Sequence, residues 1–226
     1  MNKELKDYHD MIDRSKKEGE GPCGNCALRG DNGPALIECA DEHPAIVVVS
    51  ESPAGKPEAT KDIKQWTRSI LISCHENFLK ELPSARNMGH FIGRLTRGKV
   101  YCPDDPERTH NLYWTHTLKC FIQNEDIGIR DAKRKRGKHF RSGIKECSKY
   151  LADEIRKANP KPKTVIAVGR EAARKLEGSG FTLYEVYHPS SWKSKEQKKS
   201  KLKLLRDEVV KLGLEDLAPG CIDLDC

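Results

Sequence analysis

Residues 45–50, AIVVVS, and residues 164–168, TVIAV, set the fold of this chain. Each is a short, unbroken apolar run rich in β-branched side chains, without the polar alternation of a half-exposed strand. Such runs read as strands covered on both faces. The second passes through Gly169 directly into a helical segment at residues 170–176. Working outward, residues 112–118 and 183–187 are two further strand candidates. Residues 62–82 carry apolar side chains at Ile63, Trp66, Ile70, Cys74, Phe78 and Leu82, close to helical periodicity. Ile144, Cys147, Leu151, Ile155 and Ala158 outline another amphipathic helix, stopped by Pro160. Leu202, Leu205, Val209 and Leu212 space out a last one. Strands separated by helices predict an α/β protein, a three-layer α/β/α sandwich around a central, mostly parallel four-stranded sheet.

Composition narrows the function classes. The chain's 226 residues suffice for one substantial core, so a single domain over residues 1–226 is expected, with its core at about 20–212 and a flexible tail at 213–226. Charged residues make up 33% of the sequence, and no apolar stretch approaches the length of a membrane span, so no membrane partner is expected. The start, MNKELKDYHD, lacks the apolar core of a secretory signal, and the reducing cytoplasm is the expected compartment. There, nine cysteines argue for metal ligation plus buried thiols rather than a disulfide framework. The net charge of +7 suits a polyanionic partner. Two basic runs stand out: residues 130–141, RDAKRKRGKHFR, read as a glycine-containing insertion, and residues 193–203, KSKEQKKSKLK. Each reads either as a solvated face or as a phosphate contact.

Four cysteines carry a metal signature. Cys23 and Cys26 form a tight Cys-Gly-Asn-Cys hook, Cys120 closes the strand-like run LYWTHTLKC, and Cys147 sits early in the helical pattern that follows. A pair plus two single thiolates is a common way to hold a 4Fe-4S cluster; zinc in a closed tetrahedral site is the alternative. Cys39, Cys74 and Cys102 read as ordinary buried or half-buried thiols, and Cys221 and Cys226 lie in the tail. Ligands of open parallel sheets gather outside the carboxyl ends of the strands. Three strand candidates end there in reactive or recognition residues: Ser50-Glu51-Ser52-Pro53-Ala54, Thr115-His116-Thr117-Leu118-Lys119-Cys120 and Tyr187-His188-Pro189-Ser190-Ser191-Trp192. A carboxylate, two imidazoles and an apolar wedge are thereby directed at one crevice.

Taken in order, these motifs resemble the uracil-DNA glycosylase superfamily, and they are most similar to its 4Fe-4S branch, family 4. The first catalytic motif of that branch, Gly-Glu-Ala/Gly-Pro-Gly, corresponds to Ser50-Glu51-Ser52-Pro53-Ala54. Its Asn-x-x-Lys-Cys segment corresponds to His116-Thr117-Leu118-Lys119-Cys120, and its Val-x-Leu-Gly-x-x-Ala segment to Ile166-Ala167-Val168-Gly169-Arg170-Glu171-Ala172. His188-Pro189-Ser190 matches the His-Pro-Ala/Ser motif. The resemblance runs from about residue 20 to about residue 212. It implies a monofunctional enzyme that flips a uracil or another deaminated base out of DNA and hydrolyses its glycosidic bond. A monomer that binds such DNA is the expected form.

The resemblance also implies residue roles. Glu51 positions the attacking water and offsets the developing positive sugar, while His188 donates to the departing base. Trp192 takes the place of the apolar side chain that enters the duplex, with a surface aromatic packed on lysine stems as the alternative. Gly169 and Arg170 open a helix whose amides suit a DNA phosphate, and Ser190 and Ser191 belong to the same DNA-facing set. Ser52 and His116 line the base. The chain departs from the family at His116, which stands where an Asn recognises uracil, and its hydrogen-bonding faces depend on tautomer. The family's Gly-x-Pro-Phe-Val-Gly segment is missing. Trp66 is nearest in position to its stacking Phe, and it also fits a core stripe; Phe91 looks more alike but lies farther on. His139 lies in the basic insertion, where a related branch places a covalent His, but the Lys-Arg-Arg-Ile-His motif is absent and covalent capture is not expected. The alternative from another class is a non-catalytic, metal-stapled protein that recognises damaged or single-stranded DNA.

Overall fold

The structure, a computed structural model, describes residues 3–26, 42–44, 46–51, 101–102, 105–109, 112–120, 129–162 and 164–186. In chain order its elements are helix α1 (Lys3–Glu18), a 3-10 turn (Gly21–Cys23), strands β1 (Ile46–Ser50), β2 (Tyr101–Cys102), β3 (Asp105–Thr109) and β4 (Leu112–His116), helix α2 (Ile129–Ala158), strand β5 (Thr164–Val168), helix α3 (Arg170–Leu176) and strand β6 (Leu183–Val186). Four strands form one sheet in the order β4-β1-β5-β6, and every pairing in it is parallel. The fold is α/β, as the alternating pattern predicts. Strands β2 and β3, which the apolar pattern does not predict, form a separate antiparallel pair.

The unbroken apolar runs occupy the middle of the sheet for a simple reason. Val47, Val48 and Val49 are all wholly buried, as are Val165, Ala167 and Val168, so both faces of β1 and β5 are withdrawn from water. Alternate residues sort by face. Val47, Val49, Tyr113, Val165 and Ala167 pack with Leu151, Ile155 and Ala158 of α2 and with Ala172 and Leu176 of α3. The opposite face presents Ile46, Val48, Trp114, His116 and Ile166, which are buried as well.

Helix α1, which is absent from the sequence-based expectations, buries Leu5, Tyr8, His9, Ile12 and Ser15, a stripe at helical spacing. It ends where Gly19 takes a positive φ of 78° and its N–H bonds the Ser15 carbonyl at 2.9 Å. Helix α2 begins 15 residues before the Ile144 at which periodicity places its start, so the basic segment 130–141, including His139, is helical backbone rather than a loop. Its Lys, Arg and Ala content favours a helix even without an apolar stripe. Asn159 closes α2, with its amide donating to the Pro44 carbonyl at 3.0 Å and tying the helix end to the approach of β1. Strand β4 ends at His116, two residues earlier than expected, because Lys119 folds back onto Thr115 Oγ1 and the His116 carbonyl. The helices expected at residues 62–82 and 202–212 and the tail at 213–226 lie outside the described residues. Among the described residues no helix is long and apolar enough to cross a membrane.

Candidate active site and cysteine centre

The parallel register brings the strand exits level. Ser50 pairs with His116 of β4 on one side and with Val168 of β5 on the other. Two bonds carry the alignment past the strands, from Thr117 N to the Ser50 carbonyl at 2.7 Å and from Leu118 N to the Glu51 carbonyl at 2.9 Å. Gly169, with φ at 95°, turns the chain out of β5 into α3, and its N–H reaches the Val186 carbonyl at 2.7 Å. Glu51, His116, Gly169 and Arg170 thus stand at one edge of the sheet, as expected for ligand-binding residues. Ser52, Trp66, His188, Ser190, Ser191 and Trp192 lie outside the described residues.

Glu51 is partly buried, and burial pushes its carboxyl above the usual range, with the charge of Glu171 adding to the effect. Glu171 sits in the first turn of α3 and pairs with Arg174 at 2.7 Å. His116 is buried. Its Nδ1 lies 2.6 Å from Ser50 Oγ, which also receives the Trp114 indole N–H at 3.0 Å, and the Trp114 and His116 rings meet edge to face at 5.2 Å. A carboxylate with a raised proton affinity, at a strand exit level with that of an oriented imidazole, suits positioning of a water or a polar ring edge.

On the other face of β4 lies a polar network of which the sequence motifs announce only Lys119. Lys119 and Glu154 form an ion pair at 2.6 Å with side chains 4% and 0% exposed. Glu154 also accepts from Tyr113 at 2.6 Å, from Thr115 at 2.5 Å and from Tyr8 at 3.4 Å, and His9 Nε2 meets the Tyr113 hydroxyl at 3.2 Å. Burial alone raises a carboxyl, yet Lys119 and the hydroxyl donors hold Glu154 below its ordinary value. Burial and the Glu154 charge push the Tyr8 and Tyr113 hydroxyls well up. Lys119 belongs to the motif that ends at Cys120, but its partner Glu154 lies on α2, and for that reason sequence reasoning misses the pair. The spacing of Leu5, Tyr8 and Ile12 is the one available signal that α1 packs here.

The four expected cysteines meet at one hollow. Cys23, Cys26, Cys120 and Cys147 line it together with Tyr8, Ile12, Lys16, Pro22, Lys119 and Tyr150, and none of the four is tied up in a disulfide. The hook is shaped by Ser15, whose hydroxyl donates to the Glu20 carbonyl and accepts the Cys23 N–H at 2.8 Å. Lys16 Nζ donates to Cys120 Sγ at 3.2 Å. Burial raises both inner thiols: Cys147 is pushed up to about 12, and Lys16 partly offsets the effect at Cys120. An all-sulfur donor set with a neighbouring cation fits an iron–sulfur centre or a zinc ion, and either would reverse the preference for neutral thiols. Among the described residues no group of three or more His, Cys, Asp or Glu side chains stands ready to hold a single metal ion.

A family model described as Uracil DNA glycosylase superfamily matches residues 37–209, most of the chain. No curated protein sequence matches it.

Proposed function

Because the chain belongs to the uracil DNA glycosylase superfamily, we propose that it hydrolyses the N-glycosidic bond of uracil or a related deaminated base in DNA and so starts base excision repair. The observation that carries this reading is the partly buried Glu51 at the exit of β1, level with His116 at the exit of β4. A water held by Glu51 attacks the anomeric carbon as the bond to the base breaks; the bonding electrons leave with the base, and the Glu51 carboxylate takes up the proton that the water sheds. The Glu51 carboxylate offsets the positive charge that develops on the sugar. His188 donates a hydrogen bond to the departing base and stabilises its negative charge. The base must leave the stack before any of this takes place, and Trp192 fills the gap it leaves. Gly169, Arg170, Ser190 and Ser191 hold the DNA backbone, while Ser52, His116 and Trp66 surround the base.

Cys23, Cys26, Cys120 and Cys147 would hold a 4Fe-4S cluster, as in the family 4 branch. When bound it supplies a cross-link among the N-terminal hook, the exit of β4 and α2. Hydrolysis proceeds on the chain's own residues. The four thiols lining a shared hollow support a thiolate-bound metal centre there, with a zinc ion as the alternative occupant.

The test is incubation of the protein with uracil-containing single- and double-stranded oligonucleotides, followed by alkali cleavage. Wild-type protein should cleave, and Glu51→Gln and His188→Ala should each lose about a hundredfold or more in rate while still binding DNA. Trp192→Ala should recover part of its loss on single-stranded substrate, where extrusion costs less. Full turnover in both Glu51→Gln and His188→Ala would overturn the residue assignment. A wild-type protein that binds DNA without cleaving any deaminated base would favour a damage-recognition protein without turnover.

A further inference from the structure

The segment that leaves β4, residues 116–120, joins the exit of the sheet to the cysteine hollow, with His116 at one end and Cys120 at the other. It is fastened from two sides. On the β1 side, Thr117 N donates to the Ser50 carbonyl at 2.7 Å and Leu118 N to the Glu51 carbonyl at 2.9 Å, so the backbone of Glu51 rests on this segment. On the α2 side the fastening is the Lys119 ammonium group. Its three N–H donors meet three acceptors: Glu154 Oε2 at 2.6 Å, Thr115 Oγ1 at 2.7 Å and the His116 carbonyl at 2.5 Å. Glu154 is itself aimed by the Tyr113 and Thr115 hydroxyls, which donate to Oε1 and turn Oε2 to the lysine. A buried ion pair is a poor means of gaining stability, because packed apolar side chains of similar volume often do as well. What a satisfied polar network supplies is one fixed geometry.

We infer that Glu154 and Lys119 are positioning residues for catalysis: Glu154 orients the Lys119 ammonium group, and that group fixes the 116–120 segment on which Glu51 rests. This deepens the glycosylase reading and rests on it, with Glu51 as the residue that holds the attacking water. Both side chains are out of water and act through the backbone rather than on the substrate. The path is short. It runs from Glu154 to Lys119, from Lys119 to the His116 carbonyl, and two residues on from Leu118 N to the Glu51 carbonyl. When Glu154 loses its charge, the ammonium group is left buried without its anion and is driven from its place. The His116 carbonyl then loses that donor, Thr117 and Leu118 lose their fastening on the α2 side, and the Glu51 backbone shifts with them. A displacement of about 1 Å at a reacting group lowers a rate by about a hundredfold.

The test measures excision, binding and melting on the full chain, with the cysteine centre in the same state in every variant. Enzyme in excess over a uracil-containing single-stranded oligonucleotide gives the single-turnover rate, and the same oligonucleotide gives Kd. Glu154→Gln should lower that rate by about ten- to a hundredfold while Kd changes by less than about twofold. Adding Lys119→Met to Glu154→Gln removes the stranded charge, so the double variant should melt at or above Glu154→Gln and yet stay as slow. A role in stability alone would restore the rate along with the melting temperature. Asn159→Ala frees the far end of α2 from the Pro44 carbonyl, and it should destabilise the chain at the wild-type rate. Should Glu154→Gln fail to fold, the double variant carries the same comparison. Wild-type single-turnover rates in the double variant, with Glu51→Gln slow, would overturn this inference and leave the glycosylase reading standing. Equal slowing in Asn159→Ala would overturn it too, since any loosening of α2 would then suffice. A wild-type protein inert on uracil DNA would overturn both.

Discussion

Replacing Lys119 by Met should cost this protein about 3 kcal/mol, and the cost should shrink as the solution is acidified. The ion pair with Glu154 is almost wholly out of water on both sides. Removing one partner of such a pair leaves an uncompensated buried charge, which costs about 3–5 kcal/mol. Here the lower end applies, because Glu154 keeps its Tyr113 and Thr115 donors, each worth about 1.5–3 kcal/mol to a charged acceptor. The carboxyl of the wild type is held below its ordinary value of 4.5. Its contribution is complete above that value and disappears only as the pH falls through the lower folded-state value. Without the ammonium group burial prevails, the carboxyl titrates higher, and the variant regains stability on protonation while the wild type has yet to lose any. Urea midpoints and melting temperatures, measured with the cysteine centre in the same state in every chain, read this out. A loss of about 3 kcal/mol corresponds to roughly 6–12 °C for a chain of this size. Glu154→Gln combined with Lys119→Met should cost less than the sum of the two single changes, with a coupling of about 1–3 kcal/mol. A gap between wild type and Lys119→Met that stays constant from about pH 7.5 to about pH 5, or strict additivity in the double variant, would refute the reasoning.

Three further outcomes are expected. Anaerobically purified protein should be brown with broad visible absorption, and Cys120→Ala should abolish it; a colourless protein carrying one zinc per chain would show the other metal. Glu171→Gln removes a charge that raises the Glu51 carboxyl, so the acid limb of the pH–rate profile should move to lower pH, and an unmoved limb would separate Glu51 from the rate-determining ionisation. Neutralising three lysines or arginines within residues 130–141 or 193–203 should reduce the salt slope of DNA binding by about 0.7–0.9 for each phosphate that the variant no longer neutralises, whereas unchanged affinity in both variants would identify these runs as solvated surface.

Some elements are legible in the sequence and others are hidden for physical reasons. Strand β5 and helix α3 fall where residues 164–168 and 170–176 place them, because a continuous β-branched run ending at a glycine has few alternatives. The level carboxyl ends of β1 and β4 follow from the same pattern, and they bring Glu51 and His116 to one edge. The first half of α2 is hidden because a Lys- and Arg-rich helix without an apolar stripe looks like a solvated loop. Helix α1 escapes notice although Leu5, Tyr8, Ile12 and Ser15 carry the right period, its strongly charged remainder masking them. The Lys119–Glu154 pair and the Ser50–His116 hydrogen bond arise from contacts between distant segments, and no local pattern encodes them. His9, which has no motif around it, is nonetheless held against Tyr113.

The placement of α1 against the cysteine hollow has a consequence for how this protein is made. Lys16 and Cys120 are 104 positions apart, and Tyr8 and Glu154 are 146 apart. At about 5–20 residues per second, roughly 7–30 s of translation separate the emergence of Tyr8 from that of Glu154. Throughout that interval the Cys23–Cys26 hook travels on the nascent chain with its companion thiols still unmade, open to oxidation or to a stray metal ion. The centre is thus completed late, after β1 and β4 have been synthesised, and α1 is the latch that shuts on it. A fragment trimmed to the family-matched residues 37–209 would lack that latch and two of the four thiols.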